Sequence, residues 1–471
     1  MPISWSDLAT GHAEAMDGAA VELVGWMAAA EVADRHGYFL LVPEPICCLG
    51  CLPRDPLRSV EVFARLPIAA SGRPLRLAGR LRCLTGDPAG WRYQLRDAVA
   101  QDPADGALAA RMTRRSLFAA GASLAVAACG NEGATAVAAA DPARAAAART
   151  LIDGSLTIDI HSHAGRVSRP RLPLESVAAP MREGGMAVIC LAIVADGPAI
   201  HTLPDRRIVA FREPEPGELY RWSGTAFARV HQLAAEQRLA VVTDAVSLHA
   251  ARKEGPAVVV AAEGADFLER SLDRLDEAHA SHRLRHLQLT HYRVNDLGDI
   301  QTEEPVHGGL TDFGAEVIRA CNRLGIVVDV AHGTYDLVKR AAATTAKPLV
   351  LSHTSLSANP GRRSRLISSD HARLIAETGG VIGVWPPVSV FPDKAALAAG
   401  MARMVDVAGI DHVGLGSDML GLTSPSVFAG YDELPALAEA LLAQGFSPAE
   451  ASKLLGGNYA RVFAVTTGGP G

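Results

Sequence analysis

Two patterns predict the fold class of this 471-residue chain. Residues 151–471 alternate short apolar runs with amphipathic helical stretches, and residues 1–111 carry short alternating runs without helical period. The first pattern, repeated eight times, predicts an α/β chain built as a (β/α)8 TIM barrel; the second predicts a small β-rich N-terminal module before it. In order, the barrel strands are expected at Leu156–Ile160, Met186–Ile193, Ala257–Ala262, His286–Thr290, Ile326–Ala331, Pro348–Ser352, Gly380–Trp385 and His412–Gly416. Helices intervene: Phe313, Val317, Ile318 and Cys321 recur at helical spacing before a capping Gly325. Ser447-Pro448-Ala449-Glu450 combines an N-cap, a first-turn proline and a capping-box glutamate. A length of 471 residues argues against one domain, and 49% hydrophobic with 20% charged residues is ordinary globular composition. A net charge of −6 supplies no basic stripe, so no nucleic acid partner is expected.

In the N-terminal module, Ala20–Trp26 and Tyr38–Pro43 read as short strands of a compact barrel or sandwich. Cys47, Cys48 and Cys51, with Cys83 further on, offer metal ligands, but the spacing is not that of paired C-x-x-C knuckles, and idle thiols are the commoner case. Cys190 and Cys321 sit in apolar or helical runs and read as inert core residues. Residues 112–150 differ from both halves. Arg114-Arg115 precedes an apolar Leu117–Ala128 stretch ending at Cys129, the order of a twin-Arg or lipoprotein signal. An Ala-rich buried helix is the bland alternative. The Ala-dominated residues 131–150 read as a tether. The expected domains are therefore 1–111, 112–150 and 151–471. The expected location is the cell envelope, on the periplasmic side, with a membrane tether through a lipidated Cys129; the alternative is cytoplasmic, if the internal signal is not used.

Strand ends converge on one face of such a barrel, and active sites are built there. Here they carry Asp159-Ile160-His161-Ser162-His163, Glu263-Gly264, Thr290-His291, Ala331-His332, Ser352-His353 and Ser417-Asp418. One histidine beside a strand is usually a cap or a core hydrogen-bonder. Six strand ends with His, Glu or Asp are hard to explain structurally, because buried polar groups need partners. His161 and His163 project from one side of an extended segment and can share a cation. Glu263 can bridge two cations, with His332 and His353 on the second. This donor set suits Zn2+ best, two per chain, with Mn2+, Co2+ or Fe2+ as substitutes. Two close cations would acidify a bridging water to hydroxide and polarise a carbonyl, and Asp418 would pass the proton to a leaving amine.

From about residue 151 to 466 the chain resembles the membrane dipeptidase (renal dipeptidase) family of binuclear zinc peptidases. The matching stretches are Asp159–His163, Glu263-Gly264, Leu287–Asp296, Gly309–Gly314, Val328–His332, Ser352–Ser355, Val413–Asp418 and Gly456–Phe463. The resemblance implies that His161 and His163 bind one zinc, that Glu263 bridges, and that His332 and His353 bind the other. It implies that His291 contacts the substrate carbonyl and stabilises its oxyanion, and that an Arg after His353 grips the substrate carboxylate. Arg365 is favoured for that contact and Arg363 comes second, with Arg362 read as a solvated turn residue. The implied activity is metal-dependent hydrolysis of small dipeptides, including those with a C-terminal D-residue. The alternatives are hydrolysis of N-acyl amino acids, lactones or phosphoesters, or a non-catalytic tethered binding protein. A homodimer is left open. The family's first motif is His-x-Asp, whereas this chain has His163 at the second position, leaving the cation pair one negative charge short.

Overall fold

The computed structural model describes residues 2–28, 35–44, 56–69, 73–84, 92–101, 142–203, 207–361 and 363–468. Cys47, Cys48, Cys51, the twin-Arg stretch, Cys129 and Arg362 lie outside the described residues. The chain forms two compact units, Met1–Ala139 and Ala140–Gly471.

In the first unit, β1 (Ala20–Ala28), β2 (Arg35–Val42), β3 (Val60–Ala69), β4 (Leu75–Cys83) and β5 (Tyr93–Gln101) close a barrel in the order β1-β2-β3-β5-β4. Only β3 and β5 run parallel; the other neighbours are antiparallel. This is the Greek-key order of the five-stranded oligonucleotide/oligosaccharide-binding type of barrel. Alternate residues Val21, Leu23, Phe39, Leu41, Val60, Val62, Leu77 and Leu81 fill its core. At Gly79 the alternation breaks for a reason: a Cβ there would stand 2.8 Å from the Arg96 carbonyl. Cys83 is half-buried, its Sγ 3.7 Å from the Ala13 carbonyl oxygen.

The second unit adds β6 (Ile158–Ser162), β7 (Val188–Val194), β8 (Ile200–Thr202), β9 (Ile208–Ala210), β10 (Ala240–Val242), β11 (Ala257–Glu263), β12 (His286–Gln288), β13 (Val327–Asp329), β14 (Val350–Thr354), β15 (Val381–Val384) and β16 (Val413–Leu415). Eight of these close a parallel barrel, β6-β7-β11-β12-β13-β14-β15-β16, sealed by the pairing of Leu415 with Asp159. The (β/α)8 barrel and the β-rich N-terminal module are both present. The two expected helix signals are realised. Gly325 caps Asp312–Leu324 at φ 73°, and Ser447 with Glu450 forms a capping box on Pro448–Ser452.

Three features depart from the expectations. First, β10 lies beside the first half of β11 as a ninth parallel strand, and β8–β9 form a small antiparallel hairpin. Their apolar runs are too short to stand out in sequence. Second, β6 starts at Ile158 rather than Leu156, so His161 lies within the strand. Third, residues 142–150, read as tether, belong to a helix, Pro142–Gly154. Ala-rich sequence favours helix as readily as linker; here Ala148, Leu151 and Ile152 bury one face in the barrel unit's core.

The last helix, Asn458–Thr467, explains the final motif. Tyr459 and Phe463 pack against Ile158, Val188, Ala257, Val327, Val350 and Val381, each the first residue of its strand. Asn458 Nδ2 donates to the carbonyls of Ile410 and Val413 at 2.7 and 2.8 Å. A Cβ on Gly456 would sit 2.2 Å from the Leu156 carbonyl oxygen. With the N-terminal ends of the strands covered by apolar side chains, the polar cluster is left to the opposite ends.

Candidate metal centre and active site

Five histidines, each presenting Nε2, surround the Glu263 carboxylate where β11 ends. Glu263 Oε1 is 3.5, 3.2 and 3.5 Å from Nε2 of His161, His332 and His353. Oε2 is 3.1 Å from Nε2 of both His163 and His291. Two further Nε2 pairs, His161–His163 and His332–His353, are each 3.1 Å apart. Asp418 closes the cluster, with Oδ1 3.5 Å from His163 Nε2. All seven side chains are buried. Three donor sets result: His161, His163 and Asp418; His161, Glu263 and His353; and Glu263, His291 and His332.

The donors fit cations by chemistry and spacing. Two ligands at about 2.0–2.1 Å from one tetrahedral zinc lie about 3.3–3.4 Å apart, close to the separations here. Burial holds the His161 pKa down at about 3 and those of His332 and His353 well below the usual imidazole range. Although each faces Glu263 like an ion-pair partner, these three are therefore neutral rings with a lone pair to offer, the state a ligand needs. Burial also opposes charge on His163 and His291. The carboxylates beside them outweigh it, raising His163 above its ordinary value and His291 to about 9. Glu263 resists burial and stays well below the usual carboxylate range because of His291, His161 and His163. Asp418 is pushed up to about 7 by burial, with Glu263 adding to the rise.

The rings are held from behind. His163 Nδ1 meets the Ala192 carbonyl oxygen at 3.0 Å, and His353 Nδ1 meets Ser352 Oγ at 2.9 Å. His163 is thus aimed into the cluster by a backbone acceptor, as ligand imidazoles are. Asp159 and Asp329 brace the strand ends. Asp159 accepts the Ser417 amide at 2.8 Å and the Tyr431 hydroxyl at 2.8 Å. Asp329 accepts the amides of Ala331 and Ser352 at 2.9 and 3.1 Å, and its other oxygen faces His286 Nε2 at 3.1 Å. His332 and Asp418 are reached through left-handed backbone, φ 68° and 49°. The His332 carbonyl accepts the Gln301 amide at 2.7 Å, and the Asp418 amide donates to the His161 carbonyl at 3.0 Å.

One arginine joins this cluster and another does not. Arg365 Nη1 donates to Gln301 Oε1 at 2.5 Å, Nη2 reaches the His353 carbonyl at 3.4 Å, and the guanidinium lies 5.5 Å from the Trp385 ring centre. It also hydrogen-bonds the Tyr292 hydroxyl, and its Nε has no partner among the described residues. Arg363 is exposed and faces Glu304 at 3.5 Å. The expected second choice for the carboxylate contact therefore lies away from the donor cluster. Four residues that sequence reasoning passed over belong here: Asp196, Tyr292, Gln301 and Trp385. Asp196 and Trp385 follow β7 and β15, barrel strands that lie outside the matching motifs. Gln301 comes from a loop that nothing local marks.

A model of the membrane dipeptidase family (peptidase family M19) matches residues 171–467. The chain belongs to that family. A curated relative, dipeptidase aclJ of Aspergillus oryzae (strain ATCC 42149 / RIB 40), is 31% identical over 192 residues. That match covers 38% of this chain and 44% of the fungal protein, so the chain spans under half of its length. The fold recurs in the probable dipeptidase PvdM of Pseudomonas aeruginosa, at TM-score 0.58 and 18% identity, over 70% of this chain and 100% of that one. It recurs in a metallo peptidase of Rhodobacter sphaeroides liganded with a phosphinate mimic of L-Ala-D-Ala, at TM-score 0.54 and 23% identity, over 66% and 99% of the two chains. The ring of His163 points into the donor cluster.

Proposed function

We propose that the barrel unit is a metal-dependent dipeptidase that binds two divalent cations, zinc foremost. The observation that carries this reading is the Glu263 carboxylate, which stands 3.1–3.5 Å from Nε2 of His161, His163, His332 and His353 alike while Arg365 stands beside the same cluster. His161, His163 and Asp418 would hold one cation, His332 and His353 the other, with Glu263 shared. When bound, the cations supply Lewis-acid polarisation of a carbonyl and an acidified water.

The chain's own groups do the rest. Arg365 pairs with the free C-terminal carboxylate of the substrate, which places the scissile bond of a dipeptide, rather than a longer peptide, at the cluster. His291 Nε2 donates to the carbonyl oxygen as it gains charge. Asp418 accepts the proton lost by the attacking water and returns it to the leaving amine.

The deciding experiment compares metal-stripped and zinc-reloaded protein on a panel of L,L- and L,D-dipeptides, N-acyl amino acids, lactones and phosphoesters. Zinc-dependent cleavage confined to substrates with a free carboxylate next to the scissile amide is expected. Full activity after rigorous stripping, or turnover of esters alone, overturns the reading. The phosphinate dipeptide mimic bound by the Rhodobacter sphaeroides relative supports testing D-residues at the C-terminal side.

We also propose export to the cell envelope and a lipid tether at Cys129, supported by the order of charge, apolar run and Cys in residues 112–129. Among the described residues no helix is long and apolar enough to cross a membrane. Mass spectrometry of the mature N-terminus from membrane and soluble fractions tests it: a lipidated start at Cys129 is expected, and an intact Met1 start overturns it.

A further inference from the structure

The turn after β7 carries a buried carboxylate that none of the dipeptidase motifs contains. Asp196 is fully inaccessible to solvent and stands directly behind His291. Its Oδ1 is 2.7 Å from His291 Nδ1, and its Oδ2 accepts the backbone N–H of Tyr292 at 3.1 Å. A carboxylate only accepts, so Nδ1 carries the proton of that bond, and Nε2 alone faces the cluster. Both contacts fall on one dipeptide, which fixes the ring and the main chain that bears it together. The turn below is secured independently. Asn295 Nδ2 donates to Asp266 Oδ2 and to the Leu289 carbonyl, each at 3.0 Å, and Arg293 pairs with Asp266 at 3.2 Å. Loss of the Asp196 carboxylate would thus free the imidazole without unmaking the loop.

We propose that Asp196 is the positioning residue of His291: it locks the ring so that Nε2 stands where the scissile carbonyl oxygen gathers charge. The proposal rests on the dipeptidase reading for its kinetic consequence, but the Asp196–His291 hydrogen bond can be tested without turnover. Outer partners of working imidazoles are commonly worth about 10–100-fold in activity.

The test uses the zinc-loaded full chain and three variants, Asp196→Asn, His291→Ala and the double variant. Asn can accept from only one of the two N–H groups while turning its own amide on the other. Asp196→Asn is expected to lower kcat about 10–100-fold with KM within about threefold, and to weaken a phosphinate dipeptide mimic by the same factor as kcat. Added to His291→Ala it should lower kcat no further, because its effect runs through that ring. A purely structural aspartate would multiply the two losses, and that result overturns the proposal. So does Asp196→Asn activity within about threefold of the parent, below the 10–100-fold range. Independently, imidazole-15N labelling should show a low-field Nδ1–H proton that disappears in His291→Ala and in Asp196→Asn. Its absence from the parent protein overturns the proposal even if Asp196→Asn fails to fold. If the parent cleaves no dipeptide yet shows this proton, the functional reading fails while the positioning contact stands.

Discussion

At the scale of single residues, the chemistry was readable wherever a metal-ligating side chain ends an apolar run. His161, Glu263, His332, His353 and Asp418 all follow that rule, and all face one another across less than 4.8 Å within their donor sets. Asp196 stands two residues beyond the apolar run Val188–Val194, inside no motif, and only its bond to His291 marks it. Gln301 and Trp385 meet Arg365 only through tertiary placement, so no local signal marks them. Asp418 yields a prediction with a sign. As proton acceptor it works ionised; burial and Glu263 put its pKa at about 7 without cations, and bound cations move it downward. The acid limb of kcat/KM should therefore lie at or below pH 7 and rise with pH. Asp418→Asn should cut kcat by about 10²–10⁴-fold and abolish that limb, measured by pH-rate profiles; an unchanged limb would show that another group titrates. Because Asp418 also stands in the donor set of His161 and His163, its loss should lower occupancy of one cation by metal analysis. Arg365→Met should raise KM for dipeptides while leaving the already poor cleavage of dipeptide amides unchanged. Equal losses on acid and amide would show that the guanidinium does not grip the carboxylate.

At the scale of elements, the strands were legible because parallel barrel strands are buried on both faces and read as apolar runs. Their ends were less so: β12, β13 and β16 shrink to three residues each, since ladder pairing stops where side chains turn to the site. The helix over Pro142–Gly154 escaped for another reason. Alanine carries no amphipathic contrast, so the buried face at Ala148, Leu151 and Ile152 leaves no strong period in sequence. Two glycines reveal how tightly β14, β15 and β16 meet. A Cβ on Gly383 or on Gly416 would lie 1.7 Å from the Ser352 carbonyl oxygen, one residue before His353. Backbone cannot yield as a flexible side chain can. Gly416→Ala should therefore destabilise the barrel by about 3 kcal/mol or more and displace His353, read by urea melts together with zinc content. A stable variant with full zinc content would show that the strands separate more easily than this packing implies.

At the scale of the whole molecule, each unit has its own core: the small barrel around Leu23, Phe39 and Leu77, the large one around its helices. Residues 2–101 and 142–468 should fold when produced separately, and only the second should bind zinc. Circular dichroism and metal analysis check both claims, and an unfolded 142–468 fragment would show dependence on the N-terminal half. Chelation should abolish turnover and lower the melting temperature of the large unit alone, because ligands that bind only the folded state stabilise it by mass action. A cation at about 100-fold over its Kd contributes about 2.7 kcal/mol. The left-handed backbone at His332 and Asp418 runs against that economy, since each costs roughly 1–2 kcal/mol in an L-residue. Glycine would adopt both conformations freely, so glycine at 332 or 418 should cost the fold little. Drift in a lineage that no longer needs turnover should erase those two side chains early, with no harm to the barrel. Retention of both side chains is what the proposed turnover, and not the scaffold, would require.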